Sequence, residues 1–478
     1  GRGAVSLSCR LHSSCRIWQA KKGRPEMILV DYLPILMLVT LALLLFSGFP
    51  VGAVLAGVGA GFAVLGLVID EFPIQSFFLI PYRIYSAIGE NLVYPAVPLL
   101  LFMGVALEMS GAARELLLCL QKLISKIPGN MCVSVIIIGL LLAPMAGVVG
   151  ASVATITFAA LPTMLEQRYR PEIATGAIAA AGTLGVIAPP AIMLFFLSDA
   201  LEATIASVFL APIVPVLILA LAFATYFVVM DILRPRAASM AGDEKPDISI
   251  VKYVLRSFVL PVGLILLVLA AIISGIVAPS EAAAVGAIGA AGLIFVYRGQ
   301  DFSLLKQALH RTMILTAMVF FVVLGASIFS LVFRFYGGDD VAEGLFDGLA
   351  ISDFQVLLII LLILFILGFF IDWIEIILVS LPILYPVIRD LDFAAYVGSE
   401  PLAKVWIAAL IALVLQTSFL TPPFGFSLFF LKGAAPPEIN IMQIYRGVVP
   451  LVAMQLMVIG LVLFIPQIVI WLPTALLN

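Results

Sequence analysis

Two pairs of adjacent prolines, Pro189–Pro190 and Pro422–Pro423, interrupt long apolar segments of this 478-residue chain. Proline lacks a backbone N–H and clashes with the preceding helical turn, so each pair must break a helix and leave carbonyl oxygens without donors. Such carbonyls, and the ends of the half-helices, can bind a cation or an anionic group. A bare structural kink is the alternative for each break, although two breaks in matching places favour a shared function.

Side chains that carry oxygen cluster around both breaks. They are Ser152, Thr155, Thr157, Thr183, Gln416, Thr417, Ser418 and Thr421. Together with freed carbonyls they would suit Na⁺, a hard cation that prefers oxygen ligands. The alternative for any one hydroxyl is a hydrogen bond back to its own helix, which is common for Ser and Thr.

Asp372 lies in a second kind of unusual position, at the centre of an apolar stretch. An ionisable residue inside a membrane segment is energetically costly and indicates a functional site. The alternative is a position at the aqueous end of a helical arm. Glu375, one turn further on, could pair with Asp372 or line the same cavity. Glu281 instead indicates a helix start, with Ser280 as the cap and the acid favouring the helix dipole.

Motifs for catalysis or metal binding are missing from the sequence. There is no Walker A motif, so no ATP-driven step is predicted within this chain, and no HExxH zinc motif. Ser, His and Asp show no local catalytic signature. The four cysteines have no metal-ligand spacing and are predicted to be small apolar fillers. The prediction is therefore no enzyme, no catalytic residue and no cofactor, but a secondary transporter driven by an ion gradient.

Composition points to the lipid bilayer. Hydrophobic residues make up 63% of the chain and charged residues only 11%, whereas globular domains carry about 25% charged residues. This excludes a water-soluble enzyme, a disordered protein and a nucleic-acid binder. It predicts an all-α polytopic membrane protein with roughly a dozen crossings. Basic loops are predicted inside and acidic loops outside, with Phe72–Glu90 and Asp301–Leu309 as helices lying in the interface.

Two apolar stretches are predicted to be re-entrant hairpins. The first has a small, Gly-rich centre in place of a polar connector, and the second has two apolar arms that meet at Gly368–Trp373, with Asp372 at the tip. Irregular backbone is tolerated at that depth only where protein or a water-filled cavity covers it. The hairpins span about 131–165 and about 353–389, and a broken helix follows each, at about 172–197 and about 401–431.

An internal repeat accounts for the matching hairpins and breaks. Pro189 and Pro422, the Leu-Phe-Phe-Leu strings that start at 194 and 428, and Pro215 and Pro450 are offset by 233, 234 and 235 residues. The two hairpins enter from opposite sides of the membrane, as an inverted repeat requires. The predicted domains are 27–235 and 251–478, joined by a cytoplasmic linker at 236–250. Residues 1–26 are predicted to be a non-native or disordered extension, with translation starting at Met27.

Four strings resemble the large membrane subunit, DctM, of tripartite ATP-independent periplasmic (TRAP) transporters. They are GTLGVIAPPA at 182–191, APSEAAAVGA at 278–287, GFFIDWIEI at 368–376 and QTSFLTPPFGFSLFFLKG at 416–433. The hairpin string GVVGASVAT at 147–155 is similar to the mannitol/chloroaromatic branch. One departure is Ala191, where the family often has Ser, so a hydroxyl ligand is not available there.

The resemblance implies an elevator-type inverted-repeat fold of the ion-transporter superfamily, in a multi-pass protein of the bacterial inner membrane. It implies Na⁺ as coupling ion and uptake of an organic carboxylate. The partners would be a small four-helix (DctQ-like) membrane subunit and a periplasmic (DctP-like) binding protein. The predicted ion site comprises Gly147, Gly150, Ser152, Gly182, Thr183, Gly185, Pro189, Asp372, Thr421 and Gly425. The predicted substrate site comprises Ser152, Thr155, Asp372, Thr417 and Ser418.

Two alternative functions stay open from the sequence. One is a self-sufficient Na⁺-coupled symporter for dicarboxylates or citrate in the same superfamily, which would have no binding-protein gene beside it. The other is a non-transporting membrane scaffold or an intramembrane enzyme, in which both Pro-Pro regions would be sealed from water in every state.

Overall fold

The computed structural model describes residues 32–91, 94–141, 149–233, 254–299, 301–347 and 351–477, and these are helical throughout apart from short connections. The all-α class predicted from composition is confirmed. The predicted extension 1–26, the linker 236–250 and Gly147 lie outside the described residues, so nothing in the structure bears on them. The assignment of two repeats stays a prediction.

Eleven labelled helices come before residue 234. They are α1 (Leu33–Leu45), α2 (Val51–Val68), α3 (Leu79–Ile88), α4 (Ala96–Ser110), α5 (Ala112–Leu123), α6 (Asn130–Leu141), α7 (Val149–Glu166), α8 (Pro171–Ile187), α9 (Ile192–Ala200), α10 (Ile205–Leu210) and α11 (Ile213–Leu233). A 3₁₀ turn, Ile74–Phe78, leads into α3.

Twelve more follow residue 253. They are α12 (Leu260–Ser274), α13 (Pro279–Arg298), α14 (Phe302–Phe335), α15 (Gly338–Asp347), α16 (Asp353–Leu367), α17 (Trp373–Glu375), α18 (Leu381–Asp390), α19 (Ala394–Val397), α20 (Glu400–Leu420), α21 (Phe426–Ala434), α22 (Ile441–Phe464) and α23 (Gln467–Leu477). One turn of π-helix, Leu255–Val259, precedes α12, and another, Ile376–Ser380, joins α17 to α18.

In the described part of the chain, seven helical segments are long and apolar enough to cross a membrane, or nine if each of two bent helix pairs counts as one span. One bent pair is α8 with α9, which meet at 45° across the first Pro-Pro pair. Helices α6 and α16, with 12 and 15 residues, are apolar but too short to cross alone. They are the incoming arms of the two predicted hairpins, where short arms are expected.

Two local predictions need correction. Asp301–Leu309 does not form a separate interfacial helix, because Phe302–Leu309 continues without a break into the 34-residue helix α14. Ser280 is not the cap of α13, because the helix already begins at Pro279 and Ala278 is its N-cap. Glu281 has the predicted structural role, since its Oε2 accepts the Ala278 backbone N–H at 2.9 Å.

Contacts within the chain divide it into two compact units. The first contains described residues 32–90 and 321–347. Its helix α2 carries Gly52, Gly59 and Gly66 at intervals of seven, so they lie on one face. A side chain at Gly52 or Gly59 would overlap α14, and one at Gly66 would overlap Tyr336, the residue that follows α14. The Tyr336 hydroxyl donates to the Phe62 carbonyl at 2.9 Å. Small residues let the two helices approach closely, as in membrane helix pairs generally.

The second unit contains described residues from 91 to 320 and from 351 to 477, and the two broken helices form its centre. Every residue of α8 from Ala174 to Ile187 is buried, and so is every residue of α20 from Val405 to Leu420. Helices α6, α7 and α22 pack around α8, and Gly176 meets the backbone of Gly447 on α22. The helical segments that lead into the two Pro-Pro breaks are therefore buried, whereas Pro423 and Phe424 of the second break are exposed.

Candidate functional site

The outgoing arm of the first hairpin packs directly against the helix that leads to the first break. A side chain at Gly182 would overlap Val153 of α7, and one at Gly139 of α6 would overlap the Ala181 carbonyl. Beside Val153, Ser152 is 7% exposed, and its hydroxyl has no hydrogen-bond partner in the structure. The predicted ligands Ser152 and Gly182 thus come from adjacent, tightly packed turns.

The first break, residues 188–191, leaves backbone oxygens without their helical donors. Pro189 and Pro190 have no N–H for the carbonyls of Gly185 and Val186, which lie four residues earlier. No described side chain is bonded to these carbonyls in their place. The Thr183 hydroxyl is turned away from them and donates to the Ala180 carbonyl at 3.0 Å.

The second hairpin turns at Gly368–Asp372, called here the second tip. Asp372 caps the short helix α17, with its Oδ1 accepting the Trp373 backbone N–H at 2.8 Å. Gly368 lies against Ser418 of α20 so closely that any side chain would overlap the Ser418 hydroxyl. Phe370 stacks obliquely on Phe424, with ring centroids 5.2 Å apart. The second tip therefore touches the second break itself and the helical turn that precedes it.

The second break, residues 421–425, is better satisfied than the first. Pro423 removes the donor to the Phe419 carbonyl, and the buried Ser427 hydroxyl supplies a replacement at 2.7 Å. Gly425 is required there because a side chain would overlap the same carbonyl. In the predicted repeat, the position that matches Ser427 at an offset of 234 is Met193, whose side chain cannot donate a hydrogen bond.

The predicted hydroxyl ligands of the second break all donate to their own helix. Thr417 bonds the Leu413 carbonyl at 2.8 Å, Ser418 the Leu415 carbonyl at 2.7 Å and Thr421 the Thr417 carbonyl at 2.7 Å. A hydroxyl oxygen that donates its proton keeps two lone pairs. These bonds to the helix backbone therefore orient the hydroxyl oxygens. Their lone pairs can still coordinate a cation or accept a hydrogen bond from a ligand.

Each hairpin also touches the broken helix of the opposite half. Phe196 of α9 lies 5.9 Å from the Trp373 ring at the second tip, measured between centroids. Phe430 of α21 covers Gly150 at the start of α7, where a side chain would overlap its ring. In the predicted repeat, Phe196 and Phe430 are equivalent positions at an offset of 234. Each phenylalanine thus contacts the hairpin of the other predicted half.

Thr155 has a partner outside the hairpin. Its hydroxyl donates to Glu108 Oε1 at 3.0 Å, and the same oxygen is 3.0 Å from Arg311 Nη1. Glu108 belongs to α4 and Arg311 to α14. The hairpin arm is therefore tied through one carboxylate to two helices outside the hairpin.

Several buried polar groups near the breaks were not assigned as ligands from the sequence. Those with atoms that have no hydrogen-bond partner include Trp373, Glu375, Gln416 and Gln455. Both amide atoms of Gln416 and of Gln455 are unpartnered, and the residues are 0% and 1% exposed. A polar residue in an apolar segment is the available sequence signal. It places Gln416 beside the second break and Glu375 beside Asp372, although neither belongs to the predicted ion or substrate site.

A family model decides the class of protein. Residues 38–468 match the model described as "Tripartite ATP-independent periplasmic transporter, DctM component". The chain belongs to the DctM family. It is a multi-pass inner-membrane protein and the large membrane component of a TRAP transporter, as the resemblance implied.

Curated relatives of this DctM chain are transporter permeases rather than enzymes. The C4-dicarboxylate TRAP transporter large permease protein DctM of Pseudomonas aeruginosa is 26% identical over 80% of this chain and 87% of its own length. The sialic acid large permease protein SiaM of Vibrio cholerae is 27% identical over 91% of this chain and 97% of its own. Membership of this family implies a tripartite system.

A solved structure supports the fold. The YdaH transporter of Alcanivorax borkumensis aligns with a TM-score of 0.60, covers 93% of this DctM chain and 99% of its own, and is 14% identical. At that identity the likeness concerns the fold alone. Neither the names of these relatives nor the fold distinguishes the mannitol/chloroaromatic branch, which stays a prediction.

Proposed function

We propose that this chain is the large permease of a Na⁺-coupled TRAP transporter that takes up an organic carboxylate delivered by a periplasmic binding protein. A small four-helix membrane subunit would complete the assembly. The observation that carries the proposal is the packing of each hairpin against a helix break, with buried, unpartnered oxygen atoms beside it. The names of two relatives support the substrate class, since they specify C4-dicarboxylates and sialic acid.

The first Na⁺ would bind near the first break. The freed carbonyls of Gly185 and Val186 and the unpartnered Ser152 hydroxyl supply neutral oxygen ligands of the kind that hard cations prefer. Gly182 allows the hairpin arm to approach closely enough to share the site. Gly147, Gly150, Thr183 and Pro189 complete the predicted ligand set.

The second Na⁺ would bind between the second tip and the second break. Asp372 brings a negative charge to a depth where an uncompensated charge is costly, and a bound cation would offset that cost. Thr421 and the backbone at Gly425 are the ligands predicted from the broken helix. Glu375 adds an unpartnered carboxylate oxygen one turn from Asp372.

The substrate would bind between the two hairpins. Bound Na⁺ ions lower the electrostatic cost of bringing an anion there, which couples substrate binding to the ion gradient. Ser152, Thr155, Thr417 and Ser418 are the predicted hydrogen-bonding groups. The loaded hairpins and broken helices would then move across the membrane as one body, in an elevator mechanism.

Reconstitution tests the coupling and the partners together. The chain, its small membrane subunit and its binding protein are placed in proteoliposomes, and uptake of labelled C4-dicarboxylate or sialic acid is measured. Uptake should require an inward Na⁺ gradient and the binding protein. Equal uptake with choline in place of Na⁺ would contradict the coupling. Uptake that persists without the binding protein would instead establish the self-sufficient symporter.

Asp372 is tested by a change that removes its charge and keeps its size. Asp372→Asn should raise the Na⁺ concentration for half-maximal uptake at least tenfold, because a lost charged ligand costs more than about 1.4 kcal/mol. Asp390→Asn is the matched control, since the Asp390 side chain is 62% exposed and pairs only with the neighbouring Arg389 among described residues. Unchanged Na⁺ dependence in Asp372→Asn would remove it from the site.

A further inference from the structure

An open apolar groove lies between α4, α13 and α14 in the second unit. Its volume is about 670 Å³, within the ~300–1,000 Å³ range of small-ligand pockets. Leu99 and Phe102 line it from α4, Ala291 from α13 and Met313 from α14. The remaining lining is also apolar, except for two threonine hydroxyls on α14. Such a lining excludes a polar solute and suits a hydrocarbon chain.

One end of the groove lies where the residues of α14 change from polar to apolar. The helix has 34 residues and is therefore about 51 Å long, which exceeds the ~30 Å hydrocarbon layer. Its first three turns carry Lys306, His310 and Arg311, and no charged residue follows until Arg334. Leu309 is the first groove residue on α14, so the groove begins one turn inside the charged end. A molecule in the groove would thus have its outer end beside Lys306, His310 and Arg311.

The charge at this end is not neutralised. Arg311 is paired with Glu108, and Asp301 accepts the backbone N–H groups of Ser303 and Leu304 as the cap of α14. Lys306 and His310 are exposed, and Lys306 forms no ion pair with any described residue. Lys306 lies three residues before Leu309, on the face of α14 that lines the groove. The groove therefore has one free, flexible cation at its open end.

We propose that the groove holds an acyl chain of an anionic glycerophospholipid whose phosphate binds Lys306, with His310 beside it. Basic sites between membrane helices bind anionic lipid head groups through this combination of charge and apolar contact. Lys306 can reach outward along the helix to the phosphate, as long cationic side chains do at membrane interfaces. The distance along α14 from Lys306 to Ala317, the far end of the lining, is about 16 Å, which an extended acyl chain can follow.

Native mass spectrometry tests the proposal on the full chain. The protein is released from nanodiscs that contain equal amounts of phosphatidylglycerol and phosphatidylethanolamine, and retained lipids are counted. We expect one retained phosphatidylglycerol for each chain. Ala291→Trp should reduce retention at least tenfold by filling the groove. Ile314→Trp is the control, because Ile314 lies on α14, which also borders the groove, is 54% exposed and does not itself line the groove.

The head-group contact is tested separately. Lys306→Gln should keep a lipid in the groove but bring the ratio of retained phosphatidylglycerol to phosphatidylethanolamine close to one, whereas Lys126→Gln should leave the preference unchanged. Equal retention of both lipids by the unaltered chain would overturn the proposal. So would equal retention by Ala291→Trp and Ile314→Trp, or a photoreactive residue at position 313 that cross-links the small membrane subunit instead of lipid.

Discussion

At the scale of single residues, the buried polar groups near the breaks fall into two kinds. The hydroxyls of Thr417, Ser418 and Thr421 donate hydrogen bonds to backbone carbonyls of their own helix, which fixes the direction of their lone pairs. Gln416 and Glu375 instead keep buried atoms with no partner. Such atoms cost free energy unless a ligand or water satisfies them. The unpartnered groups are therefore the sharper candidates for ligand binding.

Gln416→Leu separates a binding role from a structural one. Replacing an unpartnered buried amide by an apolar side chain of similar size is expected to leave the melting temperature unchanged or raised. If Gln416 contributes to the transport site, uptake should fall at least tenfold at the same time. Thermal unfolding and proteoliposome uptake measured on one preparation check both. A stable variant with full uptake would exclude Gln416 from the site.

The Glu108–Arg311 pair is predicted to stabilise the fold. The two side chains are 16% and 43% exposed, so removing one partner should cost about 1–2 kcal/mol, between the values for surface and buried pairs. Glu108→Gln, Arg311→Gln and the double variant form a thermodynamic cycle measured by thermal unfolding, with a coupling above about 0.5 kcal/mol expected. Glu400→Gln is the control, since Glu400 is 78% exposed in its pair with Lys404. Strict additivity would contradict the prediction.

At the scale of elements, close backbone contact holds the hairpins against the breaks. Gly368 at the second tip and Gly182 on α8 each leave no space for a side chain at the contact. The incoming arms α6 and α16 are too short to cross a membrane alone, so each depends on the helices it packs against. Helix α8 contacts α6 at Gly139, and α20 contacts the second tip at Gly368, so each arm and the broken helix beside it form one structural element.

Gly368→Ala tests this contact. The added methyl group would overlap the Ser418 hydroxyl and should separate the tip from the break at an overpacking cost of about 1–3 kcal/mol. Uptake is expected to fall at least tenfold. Gly433→Ala on α21 is the matched control, because no atom lies within 4 Å of the added group, and it should stay within twofold. Equal uptake by the two variants would show that the contact is dispensable.

At the scale of the second unit, each broken helix contacts the hairpin that does not precede it in the chain. Phe196 of α9 lies against Trp373 beside the second tip, and Phe430 of α21 covers Gly150 of the first hairpin. Both hairpins and both broken helices therefore pack as a single body within this unit. Such a body can move a binding site across the membrane while the contacts between its hairpins and broken helices stay intact. The proposed elevator mechanism requires this.

Alternating access of the second break is the corresponding prediction. A single cysteine at Phe424, which is 46% exposed, should react with a membrane-impermeant maleimide from one side without Na⁺. With Na⁺ and loaded binding protein it should react from the other side. Cys119 and Cys132, both buried, and the two cysteines before residue 27 are first replaced by alanine. Leu217→Cys, at an exposed apolar position of α11, is the unlabelled control. Labelling from one side in both conditions would contradict the movement.

The sequence alone determined the membrane class and the places where helices break, because both depend on composition and on the chemistry of proline. Scarce charge forbids a water-exposed surface, and a missing N–H breaks a helix in any context. The same local information misplaced Asp301–Leu309, since a polar first turn is compatible with either an interfacial helix or the end of a long one. Nothing local distinguishes these, and only the structure shows that this turn begins the long helix α14.

The tertiary structure alone decided which residues meet. Gly368 with Ser418, Phe196 with Trp373 and Thr155 with Glu108 are pairs distant in sequence, and no spacing predicts them. Whether a polar atom has a hydrogen-bond partner is also a tertiary property. Ser427 and Gln416 are both polar residues in apolar segments, but only Ser427 has a partner. Helix breaks follow from bonds within one residue and its near neighbours, whereas a binding site depends on how separate helices pack.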